Sequence, residues 1–147
     1  MSFTYKYARP AVTTDVVVLH RDDGGWNVLL IQRKHDPYKN CWAVPGGFLD
    51  DNEDPAEGAA RELEEETGLS GLLLKPLGFW GRPGRDPRGH TVSLVFWTVA
   101  EGPRPDAKAA DDAKSLAWHP LDDPPELAFD HAAFLKEVRE RLTERPE

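Results

Sequence analysis

The stretch GGFLDDNEDPAEGAARELEEETGL, residues 46–69, joins a pair of glycines to a short segment crowded with carboxylates. Asp54 is a favourable N-cap residue, and Pro55 suits the first position of a helix. Gly68 is a typical helix stop. The sequence therefore predicts a helix that begins at Pro55 and ends before Gly68.

Three glutamates of this predicted helix share one face. Glu62, Glu65 and Glu66 stand at i, i+3 and i+4, which places their side chains about one turn apart. Like charges at these spacings destabilise a helix by roughly 0.2–0.5 kcal/mol per pair, so a bound cation would compensate. Oxygen ligands without neighbouring Cys or His favour Mg²⁺ or Mn²⁺ over Zn²⁺. From the three glutamates alone, a metal site and a solvated acidic face are equally good interpretations.

The spacing of residues across the whole stretch favours the metal site. At every fixed position it resembles the signature of the Nudix hydrolase family. That resemblance implies an α/β fold, an α/β/α sandwich built on a mixed β-sheet with two main helices. It also implies metal-dependent hydrolysis of a nucleoside diphosphate linked to another moiety. The matching residues are Gly47, Glu53, Arg61, Glu62, Leu63, Glu65, Glu66, Gly68 and Leu69.

The resemblance also implies roles for individual residues. Glu62, Glu65 and Glu66 would hold the metal, Mg²⁺ or Mn²⁺, and the backbone carbonyl of Gly46 could join them. Either Glu62 or Glu65 would act as general base. Glu53 and Arg61 look like supporting residues of the same catalytic group, because Arg61 can brace the carboxylate face through its several N–H donors.

A further carboxylate in many Nudix enzymes, commonly Glu, precedes a late strand as an extra metal ligand or base. The candidate here is Asp112, or failing that Asp111, ahead of the apolar run SLAWH. An acidic turn without a catalytic role is an equal alternative for this shorter side chain.

An arginine-rich loop, RPGRDPRGH at residues 82–90, precedes a well-patterned predicted strand at residues 91–99. Guanidinium groups match phosphate oxygens in pairs, so Arg82, Arg85 and Arg88 are predicted to bind the diphosphate. The alternative is an exposed loop whose arginines pair with Asp86 and water.

Other substrate-binding candidates lie outside this loop. Arg33 ends an earlier predicted strand and could face a phosphate, although a solvated strand end explains it equally well. Trp80 is the candidate for stacking on the base, with Tyr38 and Phe129 as alternatives.

Several short segments narrow the expected substrate. WAVPGGFLD, GRDPRG, ADDA and AFDH are similar to segments of the Nudix enzymes that hydrolyse ADP-ribose to AMP and ribose 5-phosphate. Two other functions stay open: hydrolysis of oxidised nucleoside triphosphates or dinucleoside polyphosphates, and a non-catalytic module that senses a nucleotide. Related ADP-ribose hydrolases are often dimers, so a homodimer is compatible with this prediction.

Three residues outside the signature carry further expectations. Asp15 lies in the apolar run AVTTDVVVL. A buried carboxylate there needs a partner, an edge location explains it equally well, and Asp15 receives no role. Asp130 is predicted as the N-cap of a terminal helix. His131 is predicted as a surface residue of its first turn, with a role in the ADP-ribose-like AFDH segment as the alternative.

Composition excludes several classes of protein. A net charge of −8 and a pI near 5.1 argue against binding to nucleic acid or anionic membranes. With 147 residues, one domain spanning residues 1–147 is expected. No signal peptide or long apolar run is present, so a cytoplasmic location is expected. The single cysteine, Cys41, excludes an intrachain disulfide and is predicted to be a packed thiol.

Overall fold

The computed structural model describes residues 4–109 and 113–144. Within these ranges the chain forms one mixed sheet and two helices. The strands are β1 (Ala11–Asp22), β2 (Gly25–Arg33), β3 (Trp42–Ala43), β4 (Gly46–Phe48), β5 (Lys75–Trp80), β6 (Thr91–Val99) and β7 (Ala113–Pro120). The helices are α1 (Pro55–Thr67) and α2 (His131–Glu144).

The central strand of the sheet is β1, and it changes partner along its length. Residues 19–22 pair with β2 in an antiparallel hairpin, whereas residues 13–15 pair with β4. On its other side β1 runs parallel to β6, while β7 and β3 extend the sheet beyond β2. The mixed sheet expected from the sequence is therefore confirmed. The change of partner leaves a cleft between the two halves of the sheet.

The two helices cover opposite faces of this sheet. Val16 and Val18 pack in one apolar cluster with Leu63 of α1. Val17 packs in a second cluster with Phe134 of α2. Because side chains alternate along a strand, neighbouring valines of β1 serve opposite faces, and both faces are buried. This arrangement confirms the α/β/α sandwich and explains why the run is apolar without alternation.

The ends of α1 follow the sequence prediction. Asp54 has extended backbone angles, and its side chain accepts a hydrogen bond of 3.0 Å from the Ala56 N–H. Gly68 adopts the left-handed conformation with φ of 77°, and its N–H donates to the Glu64 carbonyl. These two caps fix where the acidic face of α1 begins and ends relative to the sheet.

The edge strand β5 differs in extent from its prediction. A strand interrupted by Pro76 and Gly78 is expected from residue 72, but the structure starts it at Lys75. These two residues predict a bulge or an edge, and the structure has both: the register of β5 against β6 shifts between Pro76 and Gly78, and β5 is the last strand in the sheet order. Leu72 and Leu74 instead pack against the apolar cluster under α1.

Neither helix of the described ranges has both the length and the apolar character that crossing a membrane requires. Cys41 is half-buried, and its thiol lies 3.0 Å from the Glu126 carboxylate. That hydrogen bond, together with burial, raises the pKa of the Cys41 thiol above its ordinary value. A raised pKa disfavours the nucleophilic thiolate, which agrees with a packed thiol.

Candidate active site

A cleft of about 540 Å³ opens where β1 changes partner. It collects side chains from β1, β2, β4 and α1, from the loop before β6 and from the segment before α2. Most of the candidates from the sequence meet there. The lining includes Asp15, Arg33, Gly46, Gly47, Phe48, Glu62, Glu65, Glu66, Arg85, Arg88, Phe129 and His131.

Arg61 holds the acidic face of α1 in place. Its Nη1 lies 2.9 Å from Glu62 Oε1 and 3.2 Å from Glu65 Oε2. Its Nε lies 2.7 Å from Glu53 Oε2, and this hydrogen bond is the main reason why the pKa of Glu53 falls to about 2. The same contacts raise the pKa of Arg61, chiefly through Glu53. Arg61 therefore offsets the repulsion between the carboxylates and fixes their orientation.

Gly46 and Gly47, at the start of the signature stretch, allow close approach to the carboxylates. The Gly46 N–H donates a 2.8 Å hydrogen bond to Glu66 Oε1, which ties β4 to α1. A Cβ atom on Gly47 would collide with the Glu62 carboxylate. A Cβ atom on Gly46 would instead meet the backbone of β1 at Thr14 and Asp15. Both positions need glycine because of space, since the structure gives neither a left-handed φ angle.

The donors in the cleft fit a hard divalent cation. Glu62, Glu65 and Glu66 line the cleft, the Gly46 backbone lies beside them, and the absence of a side chain at Gly47 leaves room beside Glu62. Within residues 4–109 and 113–144, no three acidic, histidine or cysteine side chains form a metal-binding group by themselves. A cation there would complete its coordination with backbone, water or substrate oxygens, as Mg²⁺ usually does.

The predicted extra carboxylate cannot be placed. Asp112 and its alternative Asp111 lie outside the described residues. The described part of β7 begins directly after them at Ala113, and Ala113 lines the cleft.

Arg85 has a different role from the predicted phosphate grip. Its side chain is only 5% exposed, and its Nε donates to Asp130 Oδ2 at 2.8 Å. Its Nη1 donates to Ser93 Oγ and to the Thr91 carbonyl. Because most of its N–H donors are already used within the protein, Arg85 fastens the loop and β6 to the start of α2. Asp130, predicted as a helix cap, has its carboxylate engaged by this arginine.

Arg88 and Arg33 form a positive group at the mouth of the cleft. The Arg88 side chain pairs with Asp86 at 2.8 Å, which is the alternative foreseen for the loop. Its guanidinium carbon lies 5.2 Å from the Phe129 ring centre, and that of Arg33 lies 4.9 Å from the same ring. Burial lowers the pKa of Arg33, and the neighbouring Arg88 lowers it further. An anionic ligand would relieve this repulsion.

Two predicted binding residues do not line the cleft. Arg82 is exposed and is not among the residues that line the cleft. Trp80 packs its ring against Phe134, 4.7 Å between ring centres, in the core beneath α2. Its assignment as a stacking residue is therefore corrected: the face of β5 on which Trp80 lies is set by pairing with β6, which composition does not reveal.

The sequence left Asp15 unassigned, and the structure places it in the cleft. It is 6% exposed and accepts a 2.9 Å hydrogen bond from Thr13 Oγ1. Burial raises the pKa of Asp15 to about 7, against the opposing hydrogen bond from Thr13. Its presence in an otherwise apolar run was the signal that it serves a site.

The prediction that His131 is a surface residue is wrong. It is 6% exposed and lines the cleft, because α2 lays its first turn against the sheet. Its Nδ1 accepts a hydrogen bond of 3.2 Å from the Val44 N–H. The AFDH segment was the available signal for this placement.

Comparison with known proteins agrees with this fold and cleft. The NUDIX domain model matches residues 9–142, so the chain belongs to the NUDIX family. ADP-ribose pyrophosphatase of Methanocaldococcus jannaschii is 42% identical over 131 residues, which cover 89% of this chain and 74% of that protein. With this similarity and the intact signature, the chain is a Nudix hydrolase.

Relatives with a regulatory function are also similar. The ADPR responsive transcriptional repressor NtrR of Acinetobacter baylyi is 32% identical over 143 residues, which cover 95% of this chain but only 57% of the repressor. The NUDIX domain of Shewanella oneidensis NrtR, solved with ADP ribose, superposes with a TM-score of 0.84 at 30% identity, covering 92% of this chain and 90% of that one. A MutT/nudix family protein from Enterococcus faecalis superposes with a TM-score of 0.87 at 30% sequence identity. The alignment covers 98% of this chain and 66% of that one.

Substitutions of the two glycines should have different effects. Gly47→Ala should fold with nearly unchanged stability but lose hydrolytic activity, because the added methyl group displaces the Glu62 side chain. Gly46→Ala should lower the free energy of unfolding by about 1–3 kcal/mol, because its Cβ would lie 2.5 Å from the Thr14 carbonyl oxygen. Urea unfolding and hydrolysis rates of both variants check this. Equal stability losses would contradict the assignment.

Removing the Arg85 side chain should destabilise the protein. Arg85→Ala should lower the free energy of unfolding by at least about 2 kcal/mol, because it leaves Asp130 without its partner and empties a buried position. The matched control is Arg82→Ala in the same loop, which should change stability by no more than about 0.5 kcal/mol. Thermal unfolding of both variants is the measurement, and similar melting temperatures would refute the structural role.

Proposed function

We propose that this protein hydrolyses ADP-ribose to AMP and ribose 5-phosphate with Mg²⁺, for which Mn²⁺ can substitute. The observation that carries the proposal is a single cleft lined by both carboxylates and arginines. Glu62, Glu65 and Glu66 come from α1, whereas Arg33 comes from β2 and Arg88 from the loop before β6. The similarity to ADP-ribose pyrophosphatase over most of the chain supports the same substrate.

Charge explains why both groups are needed. A diphosphate repels carboxylates, so α1 alone would exclude the substrate. A divalent cation held by Glu62, Glu65, Glu66 and the Gly46 carbonyl would neutralise the diphosphate and lower the pKa of a coordinated water. Arg33 and Arg88 are placed to attract the remaining phosphate charge. The reaction adds the oxygen of one water to a phosphorus and breaks the P–O–P bridge, so each product keeps one phosphate.

We assign the general base to Glu62 rather than Glu65. Glu62 lies in the cleft against Gly47, and its side chain is 14% exposed, against 58% for that of Glu65. A general base must lie within hydrogen-bond reach of the water that it deprotonates, and the more enclosed glutamate is the better candidate. Arg61 keeps both glutamates oriented through its hydrogen bonds, and Glu53 in turn anchors Arg61.

Neutralising the glutamates of the cleft should abolish turnover without unfolding the protein. Glu65→Gln and Glu66→Gln should each reduce kcat by about two orders of magnitude or more, the scale seen when a group stabilising transition-state charge is lost. The matched control is Glu64→Gln, because Glu64 is an exposed residue of the same helix outside this cleft. It should retain wild-type kcat.

Rates and circular dichroism of the three variants give the result. Wild-type turnover in both Glu65→Gln and Glu66→Gln would refute the role of the acidic face. A comparable loss in Glu64→Gln would show that helix stability, and not the site, controls the rate.

Product analysis tests the substrate. With Mg²⁺, the wild-type protein should convert ADP-ribose to AMP and ribose 5-phosphate with a kcat/KM at least about tenfold above that for 8-oxo-dGTP or a dinucleoside polyphosphate. The preference is expected because Arg33 and Arg88 can neutralise a short diphosphate that offers uncharged groups at both ends. Chromatography of the products measures it. Faster turnover of the triphosphate would overturn the choice of substrate while leaving the family intact.

A second candidate is a nucleotide sensor, favoured by the 32% identity with the ADPR responsive repressor over 95% of this chain. Shewanella oneidensis NrtR has also been solved with a 27mer DNA. The expectation that this chain binds no nucleic acid therefore stays a prediction. Tight binding of ADP-ribose without turnover, unchanged in Glu65→Gln, would support the sensor over the enzyme.

A further inference from the structure

His131 stands at the first position of α2 but faces inward to the cleft. Its ring is stacked on Phe134, with 4.6 Å between ring centres and 27° between planes. The Phe129 ring is also close to it, with 5.6 Å between ring centres. These contacts leave the imidazole little freedom to turn. The direction of its two nitrogens is therefore set by the fold.

One of these nitrogens is used by the protein. The Val44 N–H donates to Nδ1, so Nδ1 must be an acceptor and carries no proton. Burial lowers the pKa of His131 to about 3, with the nearby Arg85 and Arg33 acting in the same direction and Asp130 against it. The ring is consequently neutral at pH 7, and its single proton is on Nε2.

The Nε2–H group has no protein acceptor within the described ranges. Three other side-chain atoms in these ranges are inaccessible to solvent and have no hydrogen-bond partner: Thr14 Oγ1, His20 Nδ1 and His119 Nε2. His131 Nε2 also has no hydrogen-bond partner in these ranges, but it is not among the inaccessible atoms. It is therefore open to the cleft that His131 lines. A donor held in this way has a ligand or water as its only remaining partner.

The surroundings of His131 are reinforced from the outside. Arg85 binds Asp130 through two nitrogens, and Asp130 directly precedes His131. Phe129 adopts a left-handed φ of 52°, and its ring packs at 4.8 Å against Tyr38. This backbone conformation is energetically unfavourable for a residue other than glycine. The segment is therefore held by its contacts and not by the conformational preference of Phe129.

We propose that His131 Nε2–H is a fixed hydrogen-bond donor that recognises an uncharged acceptor of the nucleotide, on the base or on a ribose. This inference rests on the proposed function, because it assumes a nucleotide in the cleft. A neutral donor between aromatic rings offers no charge to a phosphate, which Arg33 and Arg88 are better placed to attract. A bound ligand without a matching acceptor would leave the Nε2–H buried and unsatisfied, so the donor selects for the correct group.

Two substitutions separate binding from structure. In His131→Asn the side-chain oxygen replaces Nδ1 and can still accept from Val44, but the donor to the cleft is lost. In His131→Gln the side-chain amide replaces Nε2 and keeps a donor, but the bond to Val44 is lost. We expect His131→Asn to raise KM about three- to tenfold, the worth of one neutral hydrogen bond, while His131→Gln has the lower melting temperature but the smaller rise in KM.

The matched control is His119→Asn. His119 is another partly buried histidine, with its ring 4.5 Å from Trp42, and it does not line the cleft. Its KM should equal that of the wild type. Rates are measured with ADP-ribose, or with the best substrate of the panel if ADP-ribose is not hydrolysed, so that an error in the substrate does not hide the result for His131.

Product inhibition identifies the group that His131 contacts. If the acceptor is on the nucleoside, His131→Asn should weaken inhibition by AMP and leave that by ribose 5-phosphate unchanged. If the acceptor is on the terminal ribose, the pattern should be reversed. Equal inhibition constants in the wild type and the variant for both products, with unchanged KM, would overturn the proposal.

Nitrogen NMR of the wild-type protein gives a test that needs no variant. The His131 ring should be the neutral Nε2–H form from pH 5 to 8, and its Nε2 signal should shift when AMP or ribose 5-phosphate is added. A proton on Nδ1 would refute the fixed donor.

The kinetic experiment on the variants has its own contrary outcome. A KM that merely follows the melting temperature across both His131 variants would also refute the fixed donor.

Discussion

Three carboxylates packed on one turn and a half of helix repel one another, and the rest of the site follows from how that repulsion is contained. Arg61 lies between them and bonds to Glu62 and Glu65, while Glu53 anchors its other side. Glu62 and Glu65 line the cleft together with Glu66, so the arginine orients them where a cation would bind. The helix can therefore keep a charge pattern that would destabilise it in isolation.

The cleft exists because one strand has two different partners. β1 pairs with β2 at one end and with β4 at the other, and the carboxylates of α1 meet β4 through Gly46 and Gly47. The hydrogen bond from the Gly46 N–H to the Glu66 carboxylate fixes α1 relative to the sheet. A side chain at Gly46 would push β4 away from β1, whereas one at Gly47 would displace only the Glu62 carboxylate.

A second arginine, Arg85, has an analogous supporting function for the segment before α2. Arg85 joins Ser93 of β6 to Asp130 before α2, and the clamp places His131 in the cleft. Arg61 thus supports the glutamates of α1. Arg85 supports the segment that carries Phe129 and His131. Arg33 and Arg88, by contrast, line the cleft with their guanidinium groups near the Phe129 ring.

Local chemistry explains which parts the sequence determined. The caps at Asp54 and Gly68, the shared face of Glu62, Glu65 and Glu66, and the mixed α/β sandwich all follow from interactions between near neighbours or from a contiguous signature. Such features depend on spacing along the chain, which a single sequence displays in full.

Only the tertiary structure decided which of several similar residues face the cleft. Three arginines in one loop look alike in sequence, yet Arg85 is buried against Asp130, Arg88 lies at the mouth and Arg82 lies outside. Trp80 joined the core and His131 the cleft, because strand pairing and helix packing set the direction of each side chain. Those directions depend on contacts between residues far apart in the chain, which the spacing of residues in a single sequence does not reveal.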